Sequence, residues 1–401
     1  MTTVLRNQPL ADLPRRLLMG PGPSEVHARV LAAMARPTIG HLDPAFVALM
    51  DDIKALLRYA FRTENAMTIP ISAPGSAGME CCFVNLVEPG DSVLVCINGV
   101  FGSRMKDNVE RCGAKPIVVE DAWGKAVDPE KVEAALRANP GVKAVAFVHA
   151  ETSTGVRSEA ATLCRLARDA GALSIVDTVT GLAGIPVEVD AWGADAVYSG
   201  TQKCLSCPPG LSPVTFSSRA VEAVKRRKTK VQSWFLDLSL IMAYWGDKDG
   251  GARTYHHTAP VNALYGLHEA LAMLSEEGLE AAWRRHAGMH AALVAGFEAM
   301  GLAMRVDAAV RLPQLNAVEV PAGIDEAAIR RQLLSVFNLE IGSGLGAWAG
   351  KVWRIGLMGQ SATPAYVLAC LSAVESALQG AGAKIAIGRA QPAARAVLGL
   401  G

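Results

Sequence analysis

The sequence predicts an α/β fold, with a large domain built on a mostly parallel sheet that helices cover on both faces and a smaller C-terminal α+β domain. Three observations predict it. Through the middle of the chain, short and almost wholly apolar runs alternate with segments of helical periodicity, the pattern of parallel strands joined by crossover helices. Each run ends in polar residues, which the crossover topology gathers at one sheet edge. After about residue 275 the alternation gives way to longer helices and a few short strands.

The apolar runs come in order at 92–97, 116–119, 143–148, 173–176 and 196–198, and Asn98, Thr152, Asp177 and Thr201 follow the ends of four of them. Asp128 with Pro129 at the first helical position opens a helix that runs to about Asn139. Ser158 opens another, which Gly171 ends. Beyond it, a long helix is expected from Glu276 to Met300, then a strand at 317–320, a helix from Asp325 to Phe337, a strand at 351–356 and a helix after Pro364. The Gly/Ala-rich tail from Gly380 reads as a loosely attached arm. The domain division expected is an N-terminal arm over 1–18, a large domain over 19–275 and a small domain with its tail over 276–401.

A chain of 401 residues affords two or three domains and a large core. With 51% hydrophobic residues and a formal net charge of +1, no global field favours nucleic acid or an anionic membrane. The basic run Lys225 to Lys230 reads as a solvated face. No apolar run is long enough for a membrane span, and the segment up to Leu18 lacks the apolar stretch of a secretory signal. The eight cysteines are scattered without a disulfide-framework spacing, so a reducing cytoplasm is the expected compartment. Cys204 and Cys207 form a CxxC, but with no second pair structural zinc is not expected. The adjacent His256 and His257 make a poor metal site, because neighbouring side chains point apart.

Asp177 and Lys203 carry the chemistry. A lysine holds an aldehyde cofactor covalently and then serves as a base, and a carboxylate against a pyridine nitrogen keeps that nitrogen protonated, so that the ring withdraws electrons. Taken singly, Asp177 is more commonly a cap or surface turn after a strand, Lys203 more commonly a solvated loop lysine and Phe101 plain core packing.

Ordered motifs add to the pair. They are Met19-Gly20-Pro21-Gly22-Pro23-Ser24, Glu88-Pro89-Gly90-Asp91-Ser92, Glu151-Thr152-Ser153-Thr154-Gly155-Val156, Val176-Asp177-Thr178-Val179, Tyr198-Ser199-Gly200-Thr201-Gln202-Lys203, Tyr255-His256-His257-Thr258-Ala259-Pro260 and Lys351-Val352-Trp353-Arg354-Ile355-Gly356. On these, over nearly its whole length, the chain resembles the class V aminotransferases of fold type I, and among them the alanine–glyoxylate and serine–glyoxylate enzymes. The resemblance implies a sheet of the seven-stranded type, pyridoxal 5'-phosphate as cofactor, and amino-group transfer in two half-reactions from alanine or serine to glyoxylate or a related 2-oxo acid. It makes Lys203 and Asp177 the catalytic pair. It puts Thr152 beside the ring's phenolic oxygen and Phe101 on the ring face, where the family usually has tryptophan. Gly75, Ser76, Ala77 and Gln202 fall at the phosphate, with Pro74 and Ser76 departing from the family's residues there. Arg354 falls at the substrate carboxylate, whose two oxygens a guanidinium matches. Tyr255 and Thr258 would reach the phosphate of a neighbouring subunit, which implies a homodimer with shared sites. Other transaminases of the class, of the ureidoglycine–glyoxylate or pyridoxamine–pyruvate type, are the alternative. A desulfurase-like lyase needs a cysteine on the loop before the clamp arginine, and residues 342–350 contain none.

Overall fold

The structure is a computed structural model that describes residues 13–246 and 253–400. Residues 1–12, most of the expected arm, lie outside it. Seven strands form the central sheet: β1 (Met67–Ile71), β2 (Ser92–Ile97), β3 (Lys115–Glu120), β4 (Ala144–Val148), β5 (Leu173–Asp177), β6 (Ala196–Tyr198) and β7 (Ser212–Phe216), in the order β1-β7-β6-β5-β4-β2-β3. The five strands from β2 to β6 run parallel, and β7 lies antiparallel to both its neighbours. Every residue of β1, β4, β5, β6 and β7 is buried, as expected where helices cover both faces. Strand order reverses between β2 and β4, and along this edge the carboxyl ends of the parallel strands open a crevice.

Helix starts follow local chemistry. Asp128 accepts a bond from the Glu130 N–H with Pro129 at the first position, and Asp325 accepts from Ala327 and Ala328; each side chain satisfies donors that a helix start leaves orphaned. Ser158 does not open its helix, which spans Ala160–Asp169. Its hydroxyl instead accepts the Val127 N–H and a bond from Asn98.

Two further expectations are corrected. The long helix from Glu276 is two helices, Val261–Glu277 and Leu279–Met300, broken at Gly278, whose φ of 83° a helix does not tolerate. The tail is docked: its helix Ala390–Leu398 packs on the Leu279–Met300 and Pro364–Gly380 helices, with Ala390 and Ala394 fully buried. Alanine at those two positions lets the backbones approach closely.

The main apolar core surrounds the central sheet. A second core joins the Leu279–Met300 and Pro364–Gly380 helices to a three-stranded antiparallel sheet containing Leu315–Glu319 and Val352–Gly356. The N-terminal strand Leu17–Leu18 pairs with Leu339–Glu340, and Met19 is buried in the second core. The segment after Met19 therefore starts from the small sheet and passes in front of the crevice, where the Ser24 N–H bonds the Gln202 carbonyl. No helix among the described residues is long and apolar enough to cross a membrane.

Candidate active site

Asp177 ends β5 and is 2% exposed. Its two oxygens have separate partners, the Val179 N–H at 2.8 Å and the Tyr198 hydroxyl at 2.7 Å. Burial nevertheless raises its pKa to about 7, and the nearby charge of Glu151 adds to the rise. A carboxylate held this way gains most from a buried cationic partner.

Lys203 lies just past β6. Its backbone is fastened from the N-terminal segment: the Ser24 hydroxyl donates to the Lys203 carbonyl at 2.6 Å and meets the Ser206 hydroxyl at 3.1 Å, which in turn accepts the Gln360 N–H. Its Nζ donates to the Pro21 carbonyl. The next residue, Gly22, has no room for a side chain, since a Cβ there would stand 2.5 Å from Nζ. Burial, followed by the Arg354 charge, lowers the lysine pKa to about 8. Near physiological pH the neutral, nucleophilic fraction of the amine is therefore far larger than that of an ordinary lysine.

Gly75, Ser76, Phe101, Asp177, Gln202 and Lys203 line one cavity of about 180 Å³, together with Pro74, Met79, Arg104, Val179 and Tyr198. A cavity of ~150 Å³ holds one benzene, so this one suits a single substituted aromatic ring. The Gly75–Leu86 helix starts at its edge with no side-chain cap. Gly75 and Ser76 thus present first-turn N–H groups at the positive end of a helix dipole, a setting for a phosphate, whereas the Ala77 N–H bonds the Pro74 carbonyl at 2.7 Å. The Gln202 side chain lines the same cavity, and its amide NH2 is the donor that it would offer such a group. A ring with a cationic nitrogen, an aldehyde and a phosphate fits these residues at every corner, as pyridoxal phosphate requires.

Thr152 and Arg354 do not line this cavity but bond each other, and the Arg354 charge reaches Lys203. The Arg354 Nη1 donates to the Thr152 carbonyl at 3.0 Å and Nε to the Ser343 carbonyl at 2.7 Å. Three of its five N–H groups are left over. It is 7% exposed, burial lowers its pKa to about 10, and among the described residues no carboxylate lies within ion-pairing distance. The Thr152 hydroxyl bonds that of Thr180. Tyr255 and Thr258 are not brought to this cavity; both are exposed, Tyr255 at 65%. Cys204 and Cys207 are free and buried, with thiols pushed up to about 12 by burial.

Sequence reasoning missed Tyr198, Arg104 and Glu151. Tyr198 is a strand residue whose hydroxyl only the fold aims at Asp177. Arg104 lies over the Phe101 ring at 4.7 Å; its spacing of three along a helix from Phe101 was the available signal.

The family model for "Aminotransferase class-V" matches residues 23–347. Three solved structures resemble the chain over nearly its whole length. Alanine–glyoxylate aminotransferase from Nostoc sp. is 47% identical with a TM-score of 0.90, covering 93% of this chain and 98% of that one. Ureidoglycine–glyoxylate aminotransferase from Bacillus subtilis is 40% identical with a TM-score of 0.94, covering 96% and 99%. Pyridoxamine–pyruvate aminotransferase from Mesorhizobium loti is 30% identical with a TM-score of 0.91, covering 98% and 99%. A lysine–carboxylate pair at the carboxyl edge of this sheet and a matching family model over most of the chain lead to one conclusion: the protein belongs to the class-V aminotransferases of fold type I and is a pyridoxal-phosphate-dependent transaminase.

Proposed function

We propose that the enzyme moves an amino group from a small amino acid, alanine or serine, to glyoxylate or a related 2-oxo acid, in two half-reactions that share one site. The observation that carries the reading is Arg354, a buried cation beside Lys203 with three unused N–H groups and no carboxylate of its own. Such a group calls for an anion, and a carboxylate is what amino acids and 2-oxo acids share. Two of the similar enzymes carry glyoxylate in their names, and the cavity leaves little room for a long side chain once a ring fills it.

Pyridoxal phosphate, when bound, supplies the aldehyde that accepts the amino group and the ring that withdraws electrons from the substrate Cα. In this reading Lys203 holds the cofactor and, once displaced, moves the proton at Cα. Asp177, fixed by Val179 and Tyr198, holds a proton on the ring nitrogen. Phe101 packs on the ring face, and Thr152 donates its hydroxyl to the ring oxygen. Gly75, Ser76, Ala77 and Gln202 bind the phosphate, and Arg354 orients the substrate carboxylate. Tyr255 and Thr258 act across a homodimer, a role their exposure favours. Eight free, buried thiols suit a reducing cytoplasm.

Single-turnover half-reactions, followed as loss of the visible absorbance with each of a panel of amino acids, test the reading. Alanine or serine should react fastest, and glyoxylate should restore the absorbance most efficiently. A donor with a large or acidic side chain that outran both would refute it.

A further inference from the structure

Glu151 is completely buried, yet among the described residues no cation lies within ion-pairing distance of it, although the Arg354 guanidinium feels its charge. It sits at the end of the two-residue strand Ala150–Glu151, next to Thr152. One oxygen accepts the Ser153 N–H at 3.0 Å and the Ser153 hydroxyl at 2.6 Å. The other accepts the Phe101 N–H at 3.2 Å, and the Gly102 N–H also bonds the carboxylate. The Ser153 hydroxyl accepts the Val100 N–H at 3.0 Å. Glu151 and Ser153 thus satisfy three successive N–H groups in the first turn of the Val100–Arg111 helix, whose own leading residue, Gly99, has no side chain to do so.

The arrangement is tight. A Cβ on Gly99 would stand 2.5 Å from the Glu151 side chain and from the Ser153 hydroxyl. A Cβ on Gly102 would stand 2.6 Å from the Cys96 carbonyl, so the helix is also pressed onto the end of β2. Phe101 lies between these two fixed points and faces the cavity. The usual capping residue at the Gly99 position would clash, and the cap is supplied from 50 residues away instead.

We propose that Glu151 is a positioning residue: its carboxylate fixes the first turn of the Val100–Arg111 helix and so sets how Phe101 meets the cofactor ring. The inference rests on the reading that Phe101 packs on that ring. Burying a carboxylate is costly unless donors surround it, and the donors used here are those that orient Phe101.

Glu151→Gln keeps the size but replaces one acceptor oxygen by an NH2 that confronts N–H donors, so one of the two donor pairs is lost. Pyridoxal phosphate should bind the apoenzyme about tenfold more weakly, and the visible circular dichroism of the bound cofactor should change. In a Phe101→Ala background, where nothing remains to be oriented, the same substitution should change the affinity less than about twofold. Should Glu151→Gln fail to fold, Ser153→Ala is put through the same cycle, with a smaller loss and the same dependence on Phe101. Wild-type affinity and dichroism in Glu151→Gln, or an equal loss in both backgrounds, overturns the proposal alone. Wild-type affinity in Phe101→Ala overturns the reading of the ring site and the proposal with it.

Discussion

The carboxyl edge of the sheet and the segment around Tyr255 carry equally recognisable motifs and have opposite surroundings. Asp177 is 2% exposed and has a partner on each oxygen, and the Lys203 peptide is fastened from the N-terminal segment. Tyr255 is 65% exposed and Thr258 is exposed too, although His256 between them is buried against Trp234. The first region is complete within one chain. The second has a braced backbone and outward side chains, the form of a surface built for something outside the chain. On the proposed reading, the contrast divides the site into a part that one chain preorganises and a part that a second copy would complete.

If the sheet edge is the self-sufficient half, damage there should be the most severe. Lys203→Ala should abolish the visible absorbance of the holoenzyme and cut turnover by more than about 10⁴-fold; visible absorbance surviving after desalting would break the assignment. Asp177→Asn removes the charge that holds the ring nitrogen protonated and should lower kcat by about 10³-fold, with thermal unfolding of the apoenzyme little affected. Unchanged turnover would move the electron sink elsewhere.

The lysine also gives a pH signature. Its pKa in the folded chain is about 8 against an ordinary 10.5, because burial and Arg354 disfavour the charged form. Only the neutral amine attacks an aldehyde, so reconstitution of the apoenzyme should quicken about tenfold per pH unit below 8 and level off above it. A rate still climbing at pH 10 would mean an ordinary, solvated lysine. Arg354→Ala should raise KM about 10–100-fold for amino acids and 2-oxo acids alike. An effect confined to one donor would make the residue a side-chain contact rather than a carboxylate clamp.

The same division explains what is legible in the sequence. The five parallel strands are readable because their runs are apolar on both faces. β1 is not, because Pro70 interrupts its run, and neither is β7, because Ser212, Pro213 and Thr215 leave it with two apolar positions that are not consecutive. The fold places the two prolines opposite each other, at a pair that uses no ladder N–H from either strand. Asp177 and Lys203 are legible because the crossover topology fixes where strand ends go. Glu151 is not, since its partners lie 50 residues back in the chain and no local pattern reports a cap supplied from such a distance. The docked tail is hidden by composition: a Gly/Ala-rich segment looks unattached until the close helix packing that alanine permits is seen.

The smallest effect tests the outward half. Tyr255→Phe removes one hydroxyl and should weaken pyridoxal phosphate binding about 3–10-fold, with little change in KM for the amino donor. That result alone does not say which chain the hydroxyl serves, but mixed dimers do. When Tyr255→Phe and Lys203→Ala homodimers exchange subunits, a shared arrangement gives each hybrid one intact site, with Lys203 from the first subunit and Tyr255 from the second. A fraction of sites with wild-type cofactor affinity should therefore appear on mixing, though neither parent has any. If Tyr255 serves its own chain, the hybrid holds one site without the lysine and one without the hydroxyl, and no such fraction forms. Sedimentation of the unmixed protein as a monomer at assay concentration would remove the second copy altogether and leave the exposure of Tyr255 to be explained in another way.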